Sequence, residues 1–214
     1  MPTVSYRFAH GWRLEDRAGV EPRVIRQFLR PAVRAVPASL AARLGPCRIV
    51  LVASLETEDV RSRWTLGAAG LEVLLAASDV EPHELTLELL LCLGQALWEA
   101  APEERAGWLH LLDRELSAGV PGEIDDEVFE RKKILLSCPA AARSLRETER
   151  YAAAAFAATV AEYVHALWHD VTVRQGPEHL PATALRRRLE HLERRYPPNR
   201  GYRLFPRHAS LARP

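Results

Sequence analysis

Apolar side chains along the chain change their period several times, and each change marks an element. Val24, Ile25, Phe28, Leu29, Val33 and Val36 recur at spacings of three and four, which predicts a helix over 21–36. Pro31 falls inside it, where a missing amide donor and a clash with the preceding turn predict a kink or a division. A shorter helix is expected over 38–44, stopped by Gly45-Pro46. CRIVLVAS, 47–54, is rich in β-branched residues and bounded by breakers, so it reads as a strand. A strand pair follows over 63–66 and 71–76, with Gly67 and Gly70 flanking the turn, and 4–13 alternates weakly enough to suggest one short strand. From Pro82 the period becomes helical and stays so. Helices are predicted over 82–100, 102–116, 126–136, 145–170 and 182–195.

This order predicts an α+β fold, predominantly helical, with a small mixed or antiparallel sheet packed on helices. Residues 1–180 are expected to form one globular domain, and 181–214 a basic helix and tail packed on it or extending from it. Composition adds little: 48% hydrophobic and 27% charged residues are ordinary for a globular chain of 214 residues. A formal net charge of +1 gives no overall field for nucleic acid or an anionic membrane. The charge is uneven, however. Nine arginines between Arg186 and Pro214 face only Glu190 and Glu193. Tyr196, Tyr202 and Phe205 interleave with them in a way that suits stacking on nucleic-acid bases, although an exposed, solvated end is the plainer reading. Lysine occurs only at Lys132 and Lys133, a hint of a GC-rich bacterial genome.

Cys47, Cys92 and Cys138 are odd in number and form no CxxC pair, which points to buried thiols in a reducing compartment. The charged N-terminus lacks the apolar run of a signal peptide, and no apolar stretch is long enough to span a membrane. A cytoplasmic protein is expected.

Two segments carry a resemblance. LTLELLLCLGQALWEA, 85–100, resembles a helix of the form LLHELGHALWEA, and YAAAAFAATVAEYV, from Tyr151, resembles FFAEAFAAYV. Together with AVRAVPASLAARLGPCRIVLVASLE and TLGAAGLEVLLAAS upstream, they make the chain over about 20–170 similar to the gluzincin branch of the zincin metallopeptidases. The resemblance implies a zincin-like fold. It also places Leu91 at the first zinc-ligand position, Cys92 at the general base, Gln95 at the second ligand and Ala154 at the third. HExxH works because residues four apart share a helix face, so two imidazoles hold Zn²⁺ while the Glu activates its water. Leucine and alanine cannot ligate, and a neutral amide suits Zn²⁺ poorly. Zinc-dependent peptide hydrolysis is therefore not expected, and no cofactor is implied. The resemblance leaves a non-catalytic protein that binds a protein or peptide segment by β-augmentation, with Leu71, Val73 and Leu75 on the expected edge strand.

Other chemistry is sparse. Glu162, His165 and His169, in EYVHALWHD, stand three and four apart and could share one face, so a metal-dependent hydrolase with relocated ligands is the alternative. A polar stripe near a helix end is the plainer account. His83-Glu84 lacks a second His at Leu87 and reads as the first turn of its helix. Cys92 as a nucleophile would need an imidazole that the sequence does not place beside it. No Walker loop, dinucleotide fingerprint or GxSxG elbow occurs. A nucleic-acid or acidic partner held by the Arg-rich C-terminus is a further alternative and is not the expected one.

Overall fold

Cys47–Val52 is the middle strand of a five-stranded mixed sheet, and it is buried along its length except at the half-buried Arg48 and Val52. Ile49 and Leu51 are inaccessible on the face that meets the helices, while Arg48 lies on the other face between Glu15 and Glu72. The computed structural model describes residues 3–56, 60–139, 143–169 and 176–205. Its strands are β1 (Val4–Arg7), β2 (Arg13–Asp16), β3 (Cys47–Val52), β4 (Ser62–Gly67) and β5 (Gly70–Ala76), in the order β1-β2-β3-β5-β4. β2, β3 and β5 run parallel, and β1 and β4 pair antiparallel at the two edges. The fold is α+β and predominantly helical, as its hydrophobic periods predict.

Helices α1 (Pro22–Val24), α2 (Arg30–Ala35) and α3 (Ala38–Leu44) supply the crossover between the parallel strands β2 and β3. Pro31 does not divide this stretch. Ile25–Leu29 forms a π-helical turn in which the Arg30 amide donates to the Ile25 carbonyl, and the wider turn accommodates a proline that cannot donate. The expected strand over 4–13 is instead two strands. A 3-10 turn, Ala9–Gly11, separates them, with His10 and Gly11 at φ 60° and 73°.

β5 is not an edge strand. It lies between β3 and β4, and Leu71, Val73 and Leu75 point into the core at 2%, 0% and 0% exposure. The sheet order puts the second hairpin strand inside because β5 runs parallel to β3, leaving β4 outermost.

The remaining helices are α4 (Pro82–Ala100), α5 (Arg105–Ser117), α6 (Asp126–Leu136), α7 (Leu145–Trp168) and α8 (Ala182–Arg195). Proline at its first position opens α4, whereas Asp125 and Ser144 cap α6 and α7 by accepting from the amides of Val128 and Glu147. α8 packs on the domain through Leu185, Leu189 and Leu192. The Tyr163 hydroxyl donates to the Tyr196 carbonyl at 2.5 Å, so Tyr196 is core and is no stacking platform. Arg186 sits 4.7 Å over the Phe205 ring and pairs with Glu190, so part of the basic end is engaged within the chain. Residues 206–214 lie outside the described residues. Cys47 and Cys92 are buried, but Cys138 is exposed just beyond the end of α6, against the expectation for all three thiols. Among the described residues, no helix is long and apolar enough to cross a membrane.

Candidate functional site

α4 and α7 pack antiparallel. His83 stands by His165, Gly94 lies against Ala157, and Trp98 meets Phe156. Gly94 sets their spacing: a Cβ there would come within 2.6 Å of the Ala157 carbonyl oxygen and 2.7 Å of its Cα. Backbone cannot yield as a flexible side chain does. Gly94→Ala should therefore part the helices and cost about 1–3 kcal/mol, read as a lower midpoint in urea unfolding. An unchanged midpoint would mean that the helices pack more loosely in solution.

This register brings Ala154 within about one helical turn of the level of Gln95. Leu91 and Ala154 are half-buried and Gln95 is exposed. The Trp64 indole donates to Gln95 Oε1 at 2.7 Å, tying the edge strand β4 to α4. Cys92 turns instead to the sheet side at 1% exposure, close to Ser62. Burial pushes its thiol up to about 12, so it is neither a thiolate ligand nor a nucleophile at neutral pH.

One turn towards the α4 N-terminus lies a pocket of about 250 Å³. Leu87, Leu91, Ala158, Ala161, Leu180 and Leu185 give it apolar walls, while His83, Glu123, Asp125, Glu162, His165 and His179 give it polar ones. Its outer wall is made by two loops joined as a short ladder. The Glu123 amide donates to the Glu178 carbonyl and the Leu180 amide to the Glu123 carbonyl, both at 2.9 Å. Gly122, at φ 63°, makes this approach possible, since a Cβ would lie 2.1 Å from the His179 carbonyl oxygen.

Three imidazoles gather at the end of this cleft. Ring centroids are 5.0 Å apart for His83 and His165, 5.0 Å for His165 and His169, and 5.9 Å for His83 and His169. His165 is 6% exposed, and neither ring nitrogen has a hydrogen-bond partner among the described residues. Burial, reinforced by His83 and His169, pushes it down to about 4, so it is neutral at physiological pH. Glu162 lines the pocket beside it and His169 caps the C-terminal end of α7. His83 is the member that the spacing within 162–170 could not supply, because it arrives from another helix.

Behind the pocket wall is a buried ionic cluster that the sequence pattern did not reveal. Arg188, fully buried, reaches Glu115 at 2.7 Å and Glu123 at 2.7 Å. Lys132 approaches Glu123 at 3.1 Å and donates to the carbonyls of Val120 and Gly122. The Tyr151 hydroxyl donates to Glu123 at 2.5 Å. Burial alone would raise the Glu123 carboxyl, but Arg188, Lys132 and Tyr151 together hold it below the usual range. Asp125, also pocket-lining, is raised by burial.

Comparison with protein-family models, with curated proteins and with solved structures finds no match. The site must therefore be read from its own geometry.

Proposed function

We propose that the chain is a non-catalytic binding protein on a metallopeptidase-like scaffold, which captures an extended peptide or protein segment along β4. The observation that carries this reading is the outer edge of β4, which no other strand among the described residues pairs. The Ala76 amide bonds the Arg61 carbonyl, so the pairing alternation turns Arg63, Thr65 and Gly67 inward and the backbone groups of Ser62, Trp64 and Leu66 outward. An added strand would find a row of donors and acceptors there, beside the α4 face that carries Gln95. One turn along α4, the 250 Å³ pocket has room for a side chain of that segment.

Element order and the antiparallel α4–α7 pair support the metallopeptidase-like scaffold. Leu91, Gln95 and Ala154 stand on the cleft side where the resemblance puts zinc ligands, and none offers an imidazole or carboxylate. Two buried cysteines left unpaired suit a reducing compartment, consistent with a cytoplasmic protein.

Peptides selected from a random display library against the immobilised chain provide the test. Leu66→Pro removes an outward amide while leaving the bonds to β5, so its circular dichroism should be unchanged. Affinity for the selected peptides should fall at least about fivefold, the worth of one hydrogen bond. Equal binding by Leu66→Pro would sink the edge-capture reading, and cleavage of the peptides seen by mass spectrometry would sink the non-catalytic one.

A further inference from the structure

We propose that the pocket between α4 and α7 is a binding site for a primary ammonium group carried on a short, unbranched apolar chain. Among the described residues no three His, Cys, Asp or Glu are disposed to hold a metal ion. The pocket suits an organic occupant instead, with about 250 Å³ of space walled by Leu87, Leu91, Ala158, Ala161, Leu180 and Leu185. Burial of a hydrocarbon stem there supplies affinity without direction, so the polar wall decides which molecule fits.

That wall selects a cation. Among the described residues its ionisable lining is three carboxylates and three imidazoles, with no lysine or arginine to meet an acid. Glu123 is already matched by Arg188 and Lys132 behind the wall and adds little. Asp125 is different. One of its oxygens accepts from the Val128 amide, and no cation pairs with the carboxylate among the described residues. Burial raises its carboxyl, and Glu127, Glu123 and Asp126 push the same way, so a cation beside it relieves both effects. The positive end of α6 does not call for an anion, because Asp125 itself caps it. His165 is an independent support. It stands in the pocket wall at 6% exposure, with neither ring nitrogen hydrogen-bonded among the described residues. Its neutral ring keeps one acceptor nitrogen, and an ammonium group, which only donates, is the complement.

Two sources share this chemistry: a free amine, and the lysine side chain of a segment held on β4. Leu91 lies on the same face of α4 as Glu88 and Gln95, which bond Ser62 and Trp64, so the pocket opens beside that strand. Only the lysine source rests on edge capture, and the site itself is tested with amine alone. Isotope-labelled full-length protein is titrated at neutral pH with hexylammonium, hexanol and hexanoate, following backbone amide shifts by NMR. Saturable shifts at the pocket residues are expected with hexylammonium, at a dissociation constant on the order of 1 mM. Hexanol and hexanoate should bind at least about fivefold more weakly, the worth of a charged hydrogen bond. Asp125→Asn keeps a capping side chain for α6 and should weaken hexylammonium at least about threefold while leaving hexanol unchanged. Asp113→Asn, exposed on α5, should change neither. Equal binding of hexanol or hexanoate, shifts that do not saturate, or indifference to Asp125→Asn would overturn the proposal. The comparison of the three probes needs no variant, so it decides even if Asp125→Asn fails to fold. Competition between hexylammonium and a lysine-bearing peptide from the display selection would mark lysine as the source, and simultaneous binding of both would mark a free amine. Full peptide binding by Leu66→Pro would remove edge capture and leave the amine titration standing.

Discussion

Arg188→Ala is expected to destabilise the protein by about 3–5 kcal/mol, enough to leave a marginal domain largely unfolded. The guanidinium is completely buried and bonds two carboxylates, Glu115 and Glu123, through four hydrogen bonds of 2.7–3.0 Å. With Lys132 the cluster holds two cations and two carboxylates and is neutral. Removing Arg188 leaves Lys132 alone against both acids, and Lys132 reaches only Glu123. Glu115 would then be a buried charge with no counterion, and its Oε1 already lacks a partner. Desolvation of that kind, more than the lost attraction, sets the size of the effect. The test is a pair of urea titrations. Arg188→Met combined with Glu115→Leu should recover much of what Arg188→Met alone loses, because the stranded charge is gone. A single variant within about 1 kcal/mol of wild type would show that water reaches the cluster and screens it. The consequence extends to the pocket: Glu123 lines it, and its backbone ladder with Glu178 and Leu180 forms the outer wall. Variants at Arg188 should therefore loosen the pocket before they unfold the sheet.

The chain shows where local patterning suffices and where it does not. Helices α3, α4, α6 and α8 can be bounded from the sequence because their ends are marked locally. Gly45-Pro46 stops α3, Pro82 starts α4, Asp125 caps α6 and Pro181 precedes α8. The edge strand was not legible in the same way. The hairpin is evident, but which of its strands faces outward depends on β5 running parallel to β3 across a long crossover. Leu71, Val73 and Leu75 alternate as any half-buried strand would, and alternation does not say which flank is occupied. The candidate site fails to show for a similar reason. Glu162, His165 and His169 share a helix and could be grouped by spacing, whereas His83 joins them only once α4 and α7 pack. Arg188 is the instructive case. In Arg186-Arg187-Arg188 the three residues look alike, yet only Arg188 lies in phase with Leu185, Leu189 and Leu192 on the buried face. A signal was present in the helical period, but its partners Glu115 and Glu123 lie 73 and 65 residues away. Basic composition suggested a solvated end. The period, taken alone, would have suggested a buried cation in need of acids.

Lowering the pH from 7 to 4 should cost about 3 kcal/mol of stability through His165 alone. Burial, with His83 and His169 adding like charge, holds the folded imidazole at about 4, while an unfolded one titrates near 6.5. Between those values the unfolded chain binds a proton that the folded chain refuses, so stability rises with pH across the interval. The contribution is whole above 6.5, is lost progressively as pH falls, and levels off below about 4. At about 1.4 kcal/mol for each tenfold in proton affinity, the interval corresponds to the stated 3 kcal/mol. Other groups share the window. His191 is also depressed, by burial and by Arg194 and Arg195, and adds a loss of the same sign. Asp125, raised by burial, acts in the opposite sense as it takes up its proton. Glu15, hydrogen-bonded by Arg48 and Arg17 on the open sheet face, is held near 2, so loss of its contribution falls below 4.5. The measurement must therefore be a difference: unfolding free energies from pH 7.5 to 4 for wild type and for His165→Phe, which keeps a ring in the cavity without a titrating nitrogen. The wild-type slope should exceed that of the variant across the interval, so the difference between the two curves should change by about 3 kcal/mol. Parallel curves would mean that His165 is hydrated or partnered in solution.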